Sequence, residues 1–194
     1  MADIFARSNK KMRCFIGLPM PEQYQQGLRR LTATWRPKLH SKLSWTRPGN
    51  WHLTLKFLGE VPENTFSPLV QILRPPLGKR FVLQAQGGGF FPDPTRPRVL
   101  WVGVGRGDDA CRSLAQEIAR RCEAVGFPLE HRPFSSHLTI ARIKQHKPDP
   151  WPQVLQSLHA ITWPVAEMNR VVLWKSSLDN NGPIYTAMEK FPLL

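Results

Sequence analysis

Residues 51–57 read WHLTLKF and residues 135–142 read SSHLTIAR. Both segments contain the pattern His, apolar, Thr, apolar, and in both it is flanked by residues that favour an extended strand. In a chain of this composition one such string arises by chance about 0.05 times, so two independent copies arise at roughly the 0.001 level. The repeated pattern is therefore a strong signal, although either copy alone would be a weak one.

The alternation of side chains along a strand decides which residues of each segment share a face. One face carries His52 and Thr54 in the first strand, and His137 and Thr139 in the second. The opposite face carries the apolar side chains of the two strands, which are Leu53, Leu55, Phe57, Leu138 and Ile140. We predict that the apolar faces anchor both strands to a core, and that an imidazole and a hydroxyl are presented together on each strand.

The chain repeats one order of elements twice: strand, helix, His-Thr strand, helix, strands. Apolar periodicity predicts helices over residues 24–35, 66–73, 111–125 and 154–158, and further strands over 12–18, 81–85, 99–104, 168–174 and 184–188. A loop rich in Gly and Pro is predicted from Gly87 to Pro97, and a hairpin turn at residues 180–182.

This duplicated order predicts an α+β fold with a bilobal, pseudo-twofold arrangement. Two antiparallel sheets would form a central cleft with the helices outside, and His52 and His137 would meet across that cleft. We expect a single domain over residues 1–194, in which residues 1–11 form a flexible basic extension.

The charge of the chain is unusual for its size. Its 194 residues carry a formal net charge of +13, with a pI near 10.4. A charge of this size attracts polyanions, and an RNA substrate would suit it, although charge alone does not identify a ligand.

The cysteines and the apolar segments predict the compartment. Cys14, Cys111 and Cys122 are odd in number and lack Cys-x-x-Cys spacing, so we interpret them as structural thiols in a reducing environment. No apolar stretch approaches the length of a membrane span, and the first residues lack the apolar core of a signal peptide. We therefore expect a cytoplasmic protein that does not associate with a membrane.

Two imidazoles with adjacent hydroxyls suit the cleavage of a phosphodiester. One histidine can take a proton from the attacking water while the other gives a proton to the leaving oxygen. Hydroxyl groups can hold the charge on the non-bridging oxygens, so the arrangement requires no metal and no other cofactor. A 2',3'-cyclic phosphate fits best because its strained ring expels the alkoxide more easily, but a different diester fits the same residue types.

The chain resembles the two-histidine phosphoesterases, and among them the bacterial RNA 2',3'-cyclic phosphodiesterases that are also described as 2'-5' RNA ligases. The resemblance covers nearly the whole chain. It rests on MRCFIGLP at 12–19, WHLTLKFLGEV at 51–61, PRVLWVGV at 97–104, RPFSSHLTIAR at 132–142, and a closing segment with Ser176, Gly182 and Tyr185. This family implies a bilobal α+β fold in which the two motifs face each other.

The resemblance also implies a role for each motif residue. His52 matches the proton donor and His137 the proton acceptor, while Thr54 and Thr139 match the phosphate-binding threonines. Arg142 matches a basic position near the substrate phosphate. Strict alternation would point Arg142 away from His137, so this role requires β-strand geometry to end or bulge before residue 142.

Two further residues have open roles. Phe15, in the first predicted strand, is a candidate for stacking on a terminal base. Lys56 continues the His52 face, so we expect it either to hold phosphate or to line the mouth of the cleft.

Three functions follow from these motifs. The first is hydrolysis of a terminal 2',3'-cyclic phosphate on RNA to a 2'-phosphomonoester, with tRNA fragments among the candidate substrates. The second is 2'-5' joining of tRNA halves, which would use the same four residues in the reverse direction. The third is a non-catalytic, basic RNA-binding protein whose motifs are relics. We expect a monomer in each case.

Overall fold

The computed structural model describes residues 11–179 and 182–194, and it combines α-helices with antiparallel strands. The strands are β1 (Lys11–Pro19), β2 (Lys42–Trp45), β3 (His52–Pro62), β4 (Phe81–Leu83), β5 (Ala85–Phe91), β6 (Val99–Val104), β7 (His137–Gln145), β8 (Ala166–Met168), β9 (Arg170–Asp179) and β10 (Gly182–Pro192). The helices are α1 (Glu22–Trp35), α2 (Glu63–Leu73), α3 (Asp108–Glu123) and α4 (Trp151–Ala160), and a 3-10 turn (Arg36–Lys38) follows α1.

The two His-Thr strands are neighbours at the centre of the larger sheet. Its order is β10-β9-β1-β3-β7-β6-β5, with β2 paired to the far end of β7, and β4 and β8 form a separate two-stranded sheet. β3 and β7 join through the pair Leu53 and Leu138, both fully buried. The predicted α+β class with two antiparallel sheets is confirmed, and strands from both halves of the duplicated chain lie on each side of the β3–β7 pair.

Strand β5 occupies the first part of the segment predicted as a Gly and Pro loop. The prediction from Gly87 to Pro97 is wrong for residues 87–91, which belong to β5, and of these residues 88–91 pair with β6. The glycines here make room for an aromatic ring, because a Cβ on Gly89 would lie 2.6 Å from Cζ2 of Trp101. Glycine in a strand often marks such a close approach.

Short elements and chain ends account for the other differences. β2 and β8 have four and three residues, which is too short for apolar alternation to reveal them. Residues 1–10 of the predicted extension and Asn180 and Asn181 of the predicted turn lie outside the described residues. Lys11, the last residue of the predicted extension, begins β1.

One cluster of buried apolar side chains runs through both halves of the described chain. It includes Leu28 of α1, Leu69 of α2, Ile118 of α3 and Val154 of α4. None of the helices built from residues 11–179 and 182–194 is long and apolar enough to cross a membrane.

The three cysteines belong to this buried cluster and are all free thiols. Burial raises the pKa of Cys111 to about 12 and those of Cys14 and Cys122 to about 11. Because the thiolate is the reactive form, these side chains are inert near neutral pH, as structural thiols are.

Candidate active site

The two motif histidines start adjacent strands, and each is fixed by its own main chain. His52 Nδ1 lies 2.7 Å from the carbonyl oxygen of Asn50, and His137 Nδ1 lies 2.8 Å from the carbonyl oxygen of Ser135. A carbonyl oxygen only accepts, so each Nδ1 carries the hydrogen and donates it. In the neutral ring this leaves the lone pair on Nε2, which is the atom available for proton transfer.

The two histidines differ at Nε2. His52 Nε2 lies 3.0 Å from Thr54 Oγ1, so the threonine hydroxyl donates to it when the ring is neutral. Within the described part of the chain, His137 Nε2 has no hydrogen-bond partner. Thr139 is half-buried on the same strand face as His137.

A bulge in β7 brings Arg142 to the face of His137. Thr139 pairs with Trp101 and Ala141 pairs with Leu100, so Ile140 is an extra residue in β7. Arg142 then pairs with Val99, which shares a face with Trp101, and its side chain is exposed. The condition that the sequence set for Arg142 is therefore met.

A corresponding bulge in β3 corrects two predicted orientations. Gly17 pairs with Thr54 and Ile16 pairs with Lys56, which makes Leu55 the extra residue. Lys56 consequently leaves the His52 face: it is 2% exposed, and its Nζ donates to the carbonyl oxygen of Pro128 at 2.8 Å.

The same bulge turns Phe57 out of the predicted apolar face. Phe57 pairs with Phe15, their ring centroids are 6.5 Å apart, and the Phe57 side chain is 56% exposed. An exposed aromatic ring therefore lies on the same face as His52.

Aromatic side chains surround both histidines. The His52 ring stacks on Phe15 at 4.6 Å and meets the edge of Tyr185 at 5.2 Å, and Trp174 lies 5.5 Å away. On the other side Phe91 meets His137 edge-on at 4.9 Å, with Trp101 at 6.5 Å.

Sequence reasoning missed the two tryptophans, because Trp101 and Trp174 lie in predicted strands, where core packing is the commoner role. Both are only half-buried. Strand pairing is what places the two tryptophans beside the histidines, since Trp101 pairs with Thr139 and Trp174 pairs with Phe15. A single sequence does not reveal that register.

Phe15 has no open ring face. It is 4% exposed and contacts His52, Trp174, Tyr185 and Phe57. A nucleobase would have to displace one of these rings to stack on it. Its observed place is beneath His52.

This apolar setting keeps both imidazoles neutral at neutral pH. Burial lowers the pKa of His52 to about 4, and the nearby charges of His137 and Arg142 act in the same direction, while the Asn50 carbonyl opposes them. Burial and Arg142 also lower the pKa of His137, against the Ser135 carbonyl. The charge of Arg142 therefore reaches both histidines.

The four other histidines of the chain, His40, His131, His146 and His159, are exposed. No three His, Cys, Asp or Glu side chains in residues 11–179 and 182–194 converge to hold a metal ion.

Known proteins are similar to this chain in sequence and in fold. A relative from Aquifex aeolicus named RNA 2',3'-cyclic phosphodiesterase is 33% identical, over 95% of this chain and 98% of its own length. A crystal structure of a Thermus thermophilus protein matches 94% of this chain and 98% of that one, with a TM-score of 0.79 at 28% identity. Escherichia coli LigT complexed with 3'-AMP has the same fold, with a TM-score of 0.77 at 22% identity over 95% of this chain and 99% of its own.

The sequence model of one family, described as LigT-like phosphoesterase, matches this chain twice, at residues 18–101 and 103–185. The two matches fall on the two halves of the duplicated element order, and each contains one His-Thr strand. The resemblance seen in the sequence is thus confirmed, and the chain belongs to the LigT-like phosphoesterase family.

Proposed function

We propose that this protein hydrolyses the terminal 2',3'-cyclic phosphate of RNA to a 2'-phosphomonoester, with His52 as general acid and His137 as general base. The observation that carries the proposal is the matched anchoring of both Nδ1 atoms to main-chain carbonyls, which leaves both Nε2 atoms for proton transfer. The name of the Aquifex aeolicus relative supports the choice of substrate.

Each step of the reaction has an assigned group. The Nε2 lone pair of His137 takes a proton from water as the water oxygen attacks phosphorus. The bond from phosphorus to the 3' oxygen breaks on the opposite side, and protonated His52 gives its Nε2 hydrogen to that oxygen. The products are a 2'-phosphomonoester and a free 3'-hydroxyl group.

The environments of the two histidines suit these different roles. A pKa of about 4 makes the His52 imidazolium a strong acid, which favours donation to the leaving alkoxide. The bound diester anion stabilises that imidazolium and so helps to load the proton. His137 has its Nε2 unoccupied among the described residues, as an acceptor of the water proton requires.

Three side chains are assigned to the phosphate. Thr54 and Thr139 donate hydroxyl hydrogens to the non-bridging oxygens, and the Arg142 guanidinium neutralises their growing charge. Phe15 is a positioning residue that holds the His52 ring, in place of the base-stacking role suggested by the sequence. The reaction uses no metal ion.

Four expectations accompany the proposal and stay predictions. They are a single domain, a monomeric state, a cytoplasmic location and tRNA fragments among the natural substrates.

The test supplies an oligonucleotide that ends in a 2',3'-cyclic phosphate, in the presence of a chelator, and identifies the product. We expect the wild type to form a 2'-phosphate, and His52→Ala and His137→Ala each to lower kcat about 100- to 10,000-fold. His40→Ala, which changes an exposed histidine outside the site, serves as the control.

Each part of the proposal can be contradicted by a different experimental result. A free 3'-phosphate would overturn the direction of ring opening, and activity retained in either site variant would overturn the acid and base roles. Activity that the chelator abolishes and a divalent cation restores would overturn metal independence. Salt-sensitive RNA binding with no turnover would favour the non-catalytic function instead.

A further inference from the structure

A basic depression lies next to the candidate active site, outside the residues assigned to catalysis. Its volume is about 400 Å³, and its lining includes Arg96, Arg98, Lys144 and His146. We use the name basic depression for this surface, which lies between the β5–β6 loop (residues 92–98) and the end of β7.

The two elements that form the basic depression also form the active site. Phe91 packs against His137, and Pro92, the next residue, lines the depression. On β7, Arg142 is followed two residues later by Lys144. A nucleic-acid strand that leaves the phosphate site along β7 would therefore enter this depression.

Main-chain hydrogen bonds fix the loop to β7 and β5. Arg98 N donates to the carbonyl oxygen of Phe91 at 2.7 Å, and Ile143 N donates to the carbonyl oxygen of Arg98 at 2.8 Å. The depression is consequently built on the same framework that positions His137.

Two of its three cations, Arg98 and Lys144, form no ion pair among the described residues, whereas the charge of Arg96 interacts with the Asp93 carboxylate. Across the described ranges, the ion pairs involve Arg47, Arg112, Arg120 and Arg121, and none involves Arg96, Arg98 or Lys144. The one acidic residue of the loop, Asp93, accepts hydrogen bonds from the main-chain N–H groups of Thr95 and Arg96, at 2.8 and 3.2 Å.

The fourth basic side chain contributes hydrogen bonding more than charge. His146 Nε2 accepts a hydrogen bond from the Trp151 indole at 3.0 Å, so this nitrogen carries no hydrogen. The unpaired cations of Arg98 and Lys144 beside this open depression match the repeated phosphates of a nucleic-acid backbone.

We propose that the basic depression binds the sugar-phosphate backbone of single-stranded RNA on the 5' side of the cyclic phosphate. This inference rests on the proposed function, and it adds a preference for oligonucleotides over short substrates. Lys144 follows His137 by seven residues, which is about 20 Å along a strand. An RNA must therefore extend several nucleotides beyond its cyclic end before it reaches Lys144.

The experiment compares Arg98→Gln/Lys144→Gln with a charge-matched control, Arg29→Gln/Arg30→Gln, in which two exposed arginines of α1 are changed. The substrates are a dinucleotide and a hexanucleotide, each with a 2',3'-cyclic end. For the hexanucleotide we expect the first variant to raise KM about tenfold. For this variant, the slope of log kcat/KM against log salt concentration should become shallower by about 0.7 for each lost phosphate contact.

We expect the dinucleotide kinetics of Arg98→Gln/Lys144→Gln to equal those of the wild type, and the control variant to change neither substrate selectively. Equal KM changes for both substrates, or for both variants, would overturn the inference and leave the proposed function standing. If the wild type opens neither substrate, the proposed function fails. Fluorescence anisotropy with a labelled hexanucleotide then tests the depression separately, because a Kd unchanged in Arg98→Gln/Lys144→Gln overturns it.

Discussion

At the scale of single residues, His52 and His137 are anchored by the same kind of hydrogen bond but lie in different surroundings. Both histidines donate Nδ1–H to a carbonyl two residues earlier in the chain, yet Thr54 approaches Nε2 only of His52. A stacked Phe15 covers His52, whereas Phe91 meets His137 edge-on. One motif sequence therefore places its histidine in two different environments.

The pH dependence of catalysis follows from these surroundings. The proposed roles require His52 to be protonated and His137 to be neutral in the free enzyme. We therefore expect kcat/KM to peak between the two pKa values, below pH 6.5, because one is about 4 and the other is lowered from 6.5. The positive charge of Arg142 disfavours both imidazolium ions. Arg142→Gln should therefore raise both pKa values and move the peak to higher pH, while lowering its height.

This prediction is checked by kcat/KM profiles on a cyclic-phosphate dinucleotide, with Arg30→Gln as the control for loss of an exposed positive charge. A peak that stays in place or moves to lower pH in Arg142→Gln would contradict the electrostatic coupling of Arg142 to the histidines.

At the scale of elements, the two bulges decide what each His-Thr strand presents. In β3 the bulge buries Lys56 and exposes Phe57, and in β7 it brings Arg142 to the His137 face. An extra residue in one strand reverses the alternation beyond it. The strands therefore obey strict alternation through Thr54 and Thr139 and depart from it afterwards.

A pair of truncations tests the bulge in β3. Leu55 is 4% exposed and Phe57 is 56% exposed, although strict alternation would bury both on one face. Leu55→Ala should lower the free energy of unfolding by about 2–5 kcal/mol. Phe57→Ala should lower it by less than about 1 kcal/mol, since exposed positions away from special features change little. Urea titration measures both, and equal losses would contradict the bulge.

Sequence periodicity was sufficient for the longer elements and for the face that carries the motif histidines. The helices and β6 follow from apolar spacing because each buries one face. β1 follows from a continuous apolar run, which is buried on both faces of the strand. Periodicity did not predict the two bulges, because they depend on how β3 pairs with β1 and how β7 pairs with β6. It also did not predict the aromatic surroundings of His137, because the register between β6 and β7 is what brings Trp101 close to it. The glycines of β5 were misread as a loop since their partner, the Trp101 ring, is distant in sequence.

At the scale of the whole molecule, the two halves share one hydrophobic core and are joined by more than the pairing of β3 with β7. Leu53 and Leu138 pair at the junction of β3 and β7, and both belong to the cluster that reaches all four helices of the described chain. The candidate active site lies at this junction, so its geometry depends on both halves staying folded together.

We accordingly predict one cooperative unfolding transition. Urea curves followed by far-UV circular dichroism and by tryptophan fluorescence should coincide, as they do for two-state domains. Leu138→Ala should shift both curves together and cost about 2–5 kcal/mol. Two separate transitions, or a variant that shifts only one probe, would contradict the single-domain prediction.

The carbonyl anchors have a consequence for how the site tolerates mutational drift. The group that fixes each histidine tautomer belongs to the backbone of residues 50 and 135, so replacing the Ser135 side chain leaves the acceptor in place. Position 135 can therefore vary among descendants of this gene while its carbonyl oxygen stays in place. A column of unrelated residues in an alignment would then conceal an atom that the proposed proton transfer requires.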